Sequence, residues 1–252
     1  MLIDNPTGNF QFIKGIDPFS FGAIPHPGYE IVHVTFHPLP PLQKGFTLVE
    51  RHLQSLQRPL QALCGMELRI PSPLSPQGFN EFNQPYINRL AGWHLLIDGL
   101  NPVARSNLAI VVNPVAEPSV YGFSYTMPST RAGATFLVAG TPEVRARMGT
   151  AREIVARGDV SPAGLRQKAE YVLEALTARL QELQVSWAEA TTVEIYTVHN
   201  LHPLLETTIL PALQDTGRHG IRWHYARPPV VEVEYEMDVR GVHQELILPG
   251  ES

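Results

Sequence analysis

The sequence predicts an α/β (α+β) protein made of two tandem units, and three observations lead to this. Segments with apolar residues at every second position alternate with segments of helical periodicity, which is the pattern of sheets covered by helices. The order strand, helix, strand, helix, strand occurs once in each half of the chain. The 252 residues also suffice for two domains of ordinary size. We therefore predict an N-terminal domain at 1–127 and a C-terminal domain at 128–252.

The second half contains the clearest helix, at 161–183. Ser161 is a good N-cap residue, and Pro162 stands where a missing N–H group costs nothing. Apolar side chains then recur at helical spacing on one face. The other predicted elements of this half are the strands 131–140, 191–198 and 230–239 and a shorter helix at 201–213.

The last of these strands, VVEVEYEMDV, alternates apolar and acidic residues, so one face carries the carboxylates of Glu232, Glu234, Glu236 and Asp238. A solvated outer face of a sheet is the ordinary explanation of such a row. At most one or two of these carboxylates are expected to take part in chemistry.

The first half repeats the order of elements with little identity of residues. Pro59 is expected to kink or break the first helix of this half. The predicted elements are the strands 29–37, 67–70, 104–113 and 119–127 and the helices 45–63 and 79–90.

Composition and charge exclude several classes of protein. A net charge of -5 and a pI near 6.0 leave no basic surface for nucleic acid. No run approaches the roughly 18 apolar residues of a membrane helix. The single cysteine, Cys64, excludes an internal disulfide and is expected to be a buried core residue. The protein is therefore expected to be cytoplasmic, with no membrane or nucleic-acid partner.

NPVARSNLAIVVNP at 101–114 places an Arg-Ser pair in an otherwise apolar strand, and RAGATFLVAGTPE at 131–143 contains an apolar strand that ends in glycine. These two segments resemble the PARS strand and the opening strand of the RidA (YjgF) family of imine and enamine deaminases. The helix and strand at 164–203 and the end of the chain at 226–238 also resemble the family pattern. The resemblance implies two tandem YjgF/chorismate-mutase-like domains, each a mixed β-sheet packed on one face by two helices. It further implies a homo-oligomer, a trimer of two-domain chains.

The resemblance also implies site residues, divided between the halves. In the family the arginine of the PARS strand binds the substrate carboxylate, and a glutamate on the last strand activates water. Arg105 and Ser106 match the first motif, whereas Glu232 and Glu234 match the position of the glutamate. The second half lacks an Arg-Ser pair and offers only Arg222 or Arg227 as poor substitutes. We therefore expect one cleft in which Arg105 meets Glu232 or Glu234.

Physical chemistry supports this pairing. A guanidinium binds both oxygens of a carboxylate, and a carboxylate in a dry cleft acts as a general base. His224 beside Arg222 is a candidate for an anionic pocket, and Tyr121 and Phe123 are candidates for an apolar wall, although such aromatic residues more often fill a core. No metal or cofactor is expected.

The predicted function is hydrolytic deamination of a small enamine or imine carboxylic acid, such as a 2-aminomuconate-like or a 2-aminoacrylate-like compound. One alternative is a chorismatase-like lyase or hydrolase that acts on a cyclic enol-ether acid. Another is a non-catalytic regulatory module in which Arg105 holds a carboxylate ligand. The sequence does not choose the substrate, because the shape of the pocket sets it.

Overall fold

The computed structural model describes residues 2–146 and 152–251. In chain order the strands of this part are β1 (Leu2–Asn5), β2 (Phe10–Ile13), β3 (Gly22–Pro25), β4 (Tyr29–Phe36), β5 (Leu63–Ile70), β6 (Ala104–Ile110), β7 (Ser119–Pro128), β8 (Phe136–Pro142), β9 (Val144–Ala146), β10 (Arg152–Ile154), β11 (Thr192–Tyr196), β12 (Arg222–His224), β13 (Ala226–Arg227), β14 (Glu236–Gly241) and β15 (Gln244–Leu248). The α-helices are α1 (Leu42–Ser55), α2 (Pro76–Gly92), α3 (Pro162–Glu182) and the short α4 (His202–Leu204) and α5 (Leu210–Leu213). Other helical turns lie at Leu60–Ala62, Trp187–Glu189, Leu205–Ile209 and Gln214–His219.

Most of the strands form two mixed sheets. The seven-stranded sheet has the order β1-β2-β3-β8-β14-β11-β12, and the six-stranded sheet has the order β13-β6-β5-β7-β4-β15. The pairs β5–β6, β11–β12 and β4–β15 are parallel, and the other neighbours are antiparallel. Each sheet therefore contains strands from both halves of the chain.

The two sheets face each other, and helices cover their outer faces. One core cluster joins α1 and α2 to the six-stranded sheet, and another joins α3 to the seven-stranded sheet. A third apolar cluster lies between the sheets and includes Cys64, which is fully buried as expected. Polar and charged side chains share this middle layer. The layers thus run helix, sheet, sheet, helix.

Local chemistry explains where the long helices begin and end. The hydroxyl of Ser75 accepts the N–H of Gly78 at 3.0 Å, and that of Ser161 accepts the N–H of Gly164 at 3.2 Å. A proline follows each cap. The helix predicted at 45–63 ends at Ser55, four residues before Pro59, because proline cannot continue its hydrogen bonds. None of the helices in 2–146 and 152–251 is long and apolar enough to cross a membrane.

The predicted fold class, two tandem RidA-like domains with a sheet and two packed helices each, is wrong. The four main strands of each half do follow the same order, β6-β5-β7-β4 and β12-β11-β14-β8. However, β1–β3 pair with the sheet of the second half, and β13 and β15 pair with the sheet of the first. This exchange joins the halves into one mixed, sheet-rich α+β fold. The boundary at 127/128 stays a prediction.

Two elements of the second half differ from their predictions. The helix expected at 201–213 is divided into α4, a π-helical turn and α5, with prolines in both short helices. The strand expected at 230–239 begins only at Glu236, because the chain turns at Glu232, whose φ is 70°. The alternating pattern continues through the turn, so the pattern alone does not mark where the strand begins.

Candidate active site

A cavity of about 1130 Å³ lies where the two halves meet. Its walls come from the segment before β3, the first turn of α2, β6, the end of β8, the β9–β10 pair, α3 and the chain that enters β14. The charged and polar side chains among its lining residues are Asn80, Arg105, Asn107, Thr141, Glu153, Arg157, Tyr171, Arg179, Glu232 and Glu236. Phe19, Phe21 and Phe79 contribute apolar surface. Both halves are therefore needed to form it.

Arg105 on β6 is a buried cation without a carboxylate partner among the described residues. Its Nη2 donates to Asn83 at 2.7 Å, whereas Nε and Nη1 have no hydrogen-bond partner there. The rings of Phe19 and Tyr86 lie 5.1 and 4.7 Å from its Cζ atom. Burial lowers the pKa of Arg105 to about 10, so the guanidinium stays charged at neutral pH. A buried, charged donor of this kind is suited to hold an anion.

A second cation, Arg179, enters the cavity from α3. Its Nη1 donates to the hydroxyl of Thr141 at 2.5 Å, and its Cζ lies 4.1 Å from the ring centre of Phe21. Burial lowers its pKa to about 10 as well. Three guanidinium groups thus line the cavity, and two of them, Arg105 and Arg179, come from opposite halves of the chain and belong to none of the ion pairs recorded among the described residues.

Glu236, the first residue of β14, supplies a carboxyl group to the same cavity. Burial raises its pKa well above the ordinary value, and Asp238 and Glu143 add to the rise while Arg105 and Arg179 oppose it. One carboxyl oxygen lies against Gly140, where a Cβ atom would overlap this oxygen and make a tight contact of 3.3 Å with the backbone of Ser106. Only glycine leaves room here. Burial thus favours the protonated form of Glu236.

Behind Glu236 a second acid, Asp238, shares protons with its neighbours. The hydroxyl of Tyr196 lies 2.5 Å from Glu194 Oε2 and 2.7 Å from Asp238 Oδ2, and the hydroxyl of Ser106 lies 2.5 Å from that same oxygen. Two hydroxyl hydrogens serve only two of these three contacts, so a carboxyl must carry a proton. Burial, with the charges of Glu194 and Glu67, raises the pKa of Asp238 to about 8. Asp238 therefore holds that proton at neutral pH.

A buried ion pair holds the chain that leads into Glu236. Lys168 of α3 lies 3.2 Å from Glu143, and both side chains are fully buried. Glu143 also accepts the backbone N–H groups of Glu234 at 2.7 Å and Tyr235 at 3.0 Å. The entry to β14 is thus joined to α3 and to the end of β8.

The structure places the two glutamates predicted from the sequence outside the strand. Glu232 lines the cavity together with Arg105, but it is exposed and forms a two-point ion pair with Arg157 at 3.0 and 2.5 Å. Glu234 binds His199 and Arg227, at 2.7 and 2.6 Å. Each carboxylate already has a cationic partner or a histidine.

The other predicted residues lie away from the cavity, mostly between the sheets. Ser106 contacts Asp238, and its hydroxyl accepts the N–H of Gly140 at 3.1 Å. Phe123 is a core residue beneath α1. Tyr121, Arg222 and His224 belong to a charged cluster that reaches the surface at β12. The other members of this cluster are His33, Glu67, Arg69, Glu194, Arg240 and Glu245.

Three residues of the cavity were missed by sequence reasoning. Asn107 follows Arg105 by two positions and shares its face of β6, so the strand pattern was sufficient to find it. Glu236 was placed on the acidic face but not distinguished from its neighbours. Arg179 belongs to the polar residues of an amphipathic helix, and no signal in the sequence separates it from a solvated arginine.

Two cationic side chains and a carboxyl with a raised pKa in one cavity are typical of an enzyme with acid–base chemistry. The family model described as 2-aminomuconate deaminase CnbZ matches residues 2–246. The chain is also 39% identical over 244 residues to a Comamonas testosteroni protein named 2-amino-5-chloromuconate deaminase, with 96% of each chain covered. The chain belongs to this family of deaminases.

The assignment to the RidA family is therefore wrong, although a deaminase was predicted. The short motifs that carried the resemblance are periodic strand and helix patterns, which unrelated sheets share. A chorismatase crystal structure has a TM-score of 0.46 and 9% identity, and the match covers 88% of this chain and 77% of the other. This likeness is too distant to bear on the reaction.

Proposed function

We propose that the protein removes the amino group of a 2-aminomuconate by hydrolysis. A 2-aminomuconate is an unsaturated dicarboxylic acid with an enamine at one end. The description of the family model and the name of the relative both refer to the deamination of an aminomuconate. The observation that carries the proposal is the set of charged groups in the cavity. Arg105 and Arg179, which form no ion pair with a carboxylate among the described residues, share the cavity with one buried carboxyl group, Glu236, whose pKa is raised by burial.

The charges match a dicarboxylate. Arg105 and Arg179 are available to bind one carboxylate each, because neither is neutralised by a protein carboxylate within ion-pair distance in the described residues. Arg157 and Glu232 at the rim neutralise each other. A ligand with two carboxylates would bring one negative charge to each of these two guanidinium groups, and a buried charge is stable only when it is balanced.

Glu236 supplies the acid–base chemistry. As a carboxylic acid it donates its proton to a carbon of the enamine, which becomes an iminium ion. As the resulting carboxylate it takes a proton from water, whose oxygen adds to the carbon that carries nitrogen. The proton of the adduct's hydroxyl group then passes to nitrogen and the C–N bond breaks, which releases ammonia and leaves a 2-oxo acid. One water is consumed and one ammonia is formed. The carboxyl ends the cycle protonated.

Three variants test these roles. We expect Glu236→Gln to lower kcat by about 10²- to 10⁴-fold with a small change in KM, because it removes a proton donor. Arg105→Met and Arg179→Met should each raise KM by about tenfold or more, because a charge-assisted hydrogen bond is lost. Ammonia release and loss of the diene absorbance measure turnover of freshly prepared 2-aminomuconate and its 5-chloro derivative.

Matched controls come from the rim of the cavity and from outside it. Arg157→Met removes an exposed arginine of the rim, and Glu232→Gln and Glu234→Gln test the two glutamates that the sequence predicted. We expect all three to keep turnover within about threefold of the parent protein, since the Arg157–Glu232 ion pair is exposed and Glu234 is not among the residues that line the cavity. Full kcat in Glu236→Gln, or a large loss in Glu232→Gln, would transfer the acid–base role to another residue. No ammonia from either substrate would reject the proposal.

A further inference from the structure

Asn107 presents an unsatisfied amide beside Arg105. The residue is 3% exposed, it lines the cavity, and neither its Oδ1 nor its Nδ2 has a hydrogen-bond partner among the described residues. Arg105 lies two positions earlier on the same face of β6 and has Nε and Nη1 unpaired. One strand face therefore offers free N–H donors and one free carbonyl acceptor.

Such a group is costly in a folded protein unless something binds it. A buried amide that loses its hydrogen bonds to water and gains none destabilises the fold, and nearly all buried polar groups in proteins are paired. Leucine has almost the same size and would fill the position without this cost. The unpaired amide is therefore best explained by a ligand that completes its hydrogen bonds.

We propose that Asn107 recognises the amino group of the substrate and, with Arg105, sets the direction in which the substrate binds. This inference rests on the proposed function. Oδ1 of Asn107 accepts an N–H of the enamine, while its Nδ2 and Arg105 donate to the adjacent carboxylate. The distal carboxylate then lies at Arg179, on the other side of the cavity.

The same contact separates substrate from product. The enamine nitrogen carries hydrogens and donates to Oδ1, whereas the oxygen of the 2-oxo product is only an acceptor and opposes Oδ1. A site that is built to bind a donor discriminates strongly against a ligand that lacks it, because its own polar group is left unpaired. Asn107 therefore favours binding of the amino acid and release of the oxo acid.

Two stable acids test this recognition without turnover. Pyrrole-2-carboxylate carries an N–H next to its carboxylate, in the arrangement of the amino-acid end of the substrate, and furan-2-carboxylate has the same shape with an oxygen in place of the N–H. We expect the parent protein to bind the pyrrole acid about tenfold more tightly than the furan acid by calorimetry. In Asn107→Leu the two affinities should agree within about twofold.

Asn80→Leu is the matched control, because Asn80 is an exposed asparagine that lines the same cavity. It should keep the tenfold preference. The melting temperature of Asn107→Leu is expected to equal or exceed that of the parent protein, and a cooperative transition shows that the variant folds. The KM of Asn107→Leu for 2-aminomuconate should rise by about tenfold, with a smaller change in kcat.

Equal affinity of the parent protein for the two acids, or a preference that survives in Asn107→Leu, would overturn the inference. An active parent protein that binds neither acid, together with an unchanged KM in Asn107→Leu, would overturn it too. A preference that depends on Asn107 in a protein that releases no ammonia from any aminomuconate would leave the recognition intact and reject the proposed function.

Discussion

At the scale of single residues, Asp238 shows how burial sets a protonation state. It lies between the sheets, and the groups that face it come from four strands: Glu67 on β5, Ser106 on β6, Glu194 and Tyr196 on β11, and Glu236 and Arg240 on its own strand. Two neighbouring carboxylates and the loss of water favour its neutral form. Asp238 is a neighbour of Glu236 on the same strand, and its negative charge raises the pKa of Glu236 further once Asp238 ionises.

The raised pKa of Asp238 makes stability depend on pH. An aspartate in the unfolded chain ionises at about pH 3.9, whereas Asp238 in the folded protein ionises at about pH 8. Between these values unfolding releases a proton, so the free energy of unfolding should fall as pH rises from about 4 to about 8 and then level off. Asp238→Asn should flatten this decline.

Urea denaturation of the parent protein and Asp238→Asn at pH values from 5 to 9 measures the effect. Asp215→Asn, an exposed aspartate in a surface ion pair with Arg218, is the control and should follow the parent profile. Parallel profiles for the parent protein and Asp238→Asn would show that the carboxyl is ionised throughout.

At the scale of elements, the entry to β14 decides where Glu236 stands. The alternating pattern of 230–239 correctly placed Glu236 and Asp238 on one face, but β14 begins only after the turn at Glu232. The Glu143 carboxylate holds the backbone just before Glu236, and Lys168 of α3 balances its charge. The position of the Glu236 carboxyl group therefore depends on a contact between α3, β8 and β14.

Removal of one partner of this ion pair should be costly. Lys168→Met leaves the Glu143 carboxylate buried without a cation, and we expect the free energy of unfolding to fall by about 3–5 kcal/mol. The double variant Glu143→Gln/Lys168→Met should recover part of the loss, because no uncompensated charge remains. Chemical denaturation measures both.

Arg218→Met provides the comparison at an exposed ion pair and should change stability by less than about 1 kcal/mol. A loss in Lys168→Met no larger than in Arg218→Met would mean that water reaches the Glu143–Lys168 pair.

At the scale of the whole molecule, the exchange of strands ties the two halves together. The first three strands complete the sheet of the second half, and β13 and β15 complete the sheet of the first. The cavity takes Arg105 and Asn107 from one half and Arg179 and Glu236 from the other. Neither half by itself contains all the strands of its sheet or all the residues that line the cavity.

Separate expression of 1–127 and 128–252 tests this dependence. We expect each fragment alone to lack a cooperative thermal transition, because the unpaired strands of one sheet and the apolar layer between the sheets become exposed. Mixing of the two fragments should restore part of the transition. Cooperative unfolding of an isolated fragment would instead establish the predicted domain boundary.

Much of the local structure was predictable from the sequence. Strand β4 and helix α3 lie close to their predicted bounds, because periodicity and, for α3, a serine–proline start act within a few residues. Helix α2 begins at Pro76, three residues before its predicted start, because the prediction rested on periodicity and did not use Ser75 as a cap. The strands at the N-terminus were missed, since β1 and β2 are four residues long and show no clear alternation. Their stability comes from pairing with distant strands.

The sequence by itself determined which residues share a strand or a helix face, and it gave Arg105 as a candidate site residue. Only the tertiary structure decided which acids and cations meet it. Glu236 reaches the cavity through the pairing of β14 with β8, and Arg179 through the packing of α3 on the same sheet. Such long-range contacts depend on how all the elements pack and bury their apolar surfaces together. A periodic pattern depends only on neighbours within one element, so it does not predict these contacts.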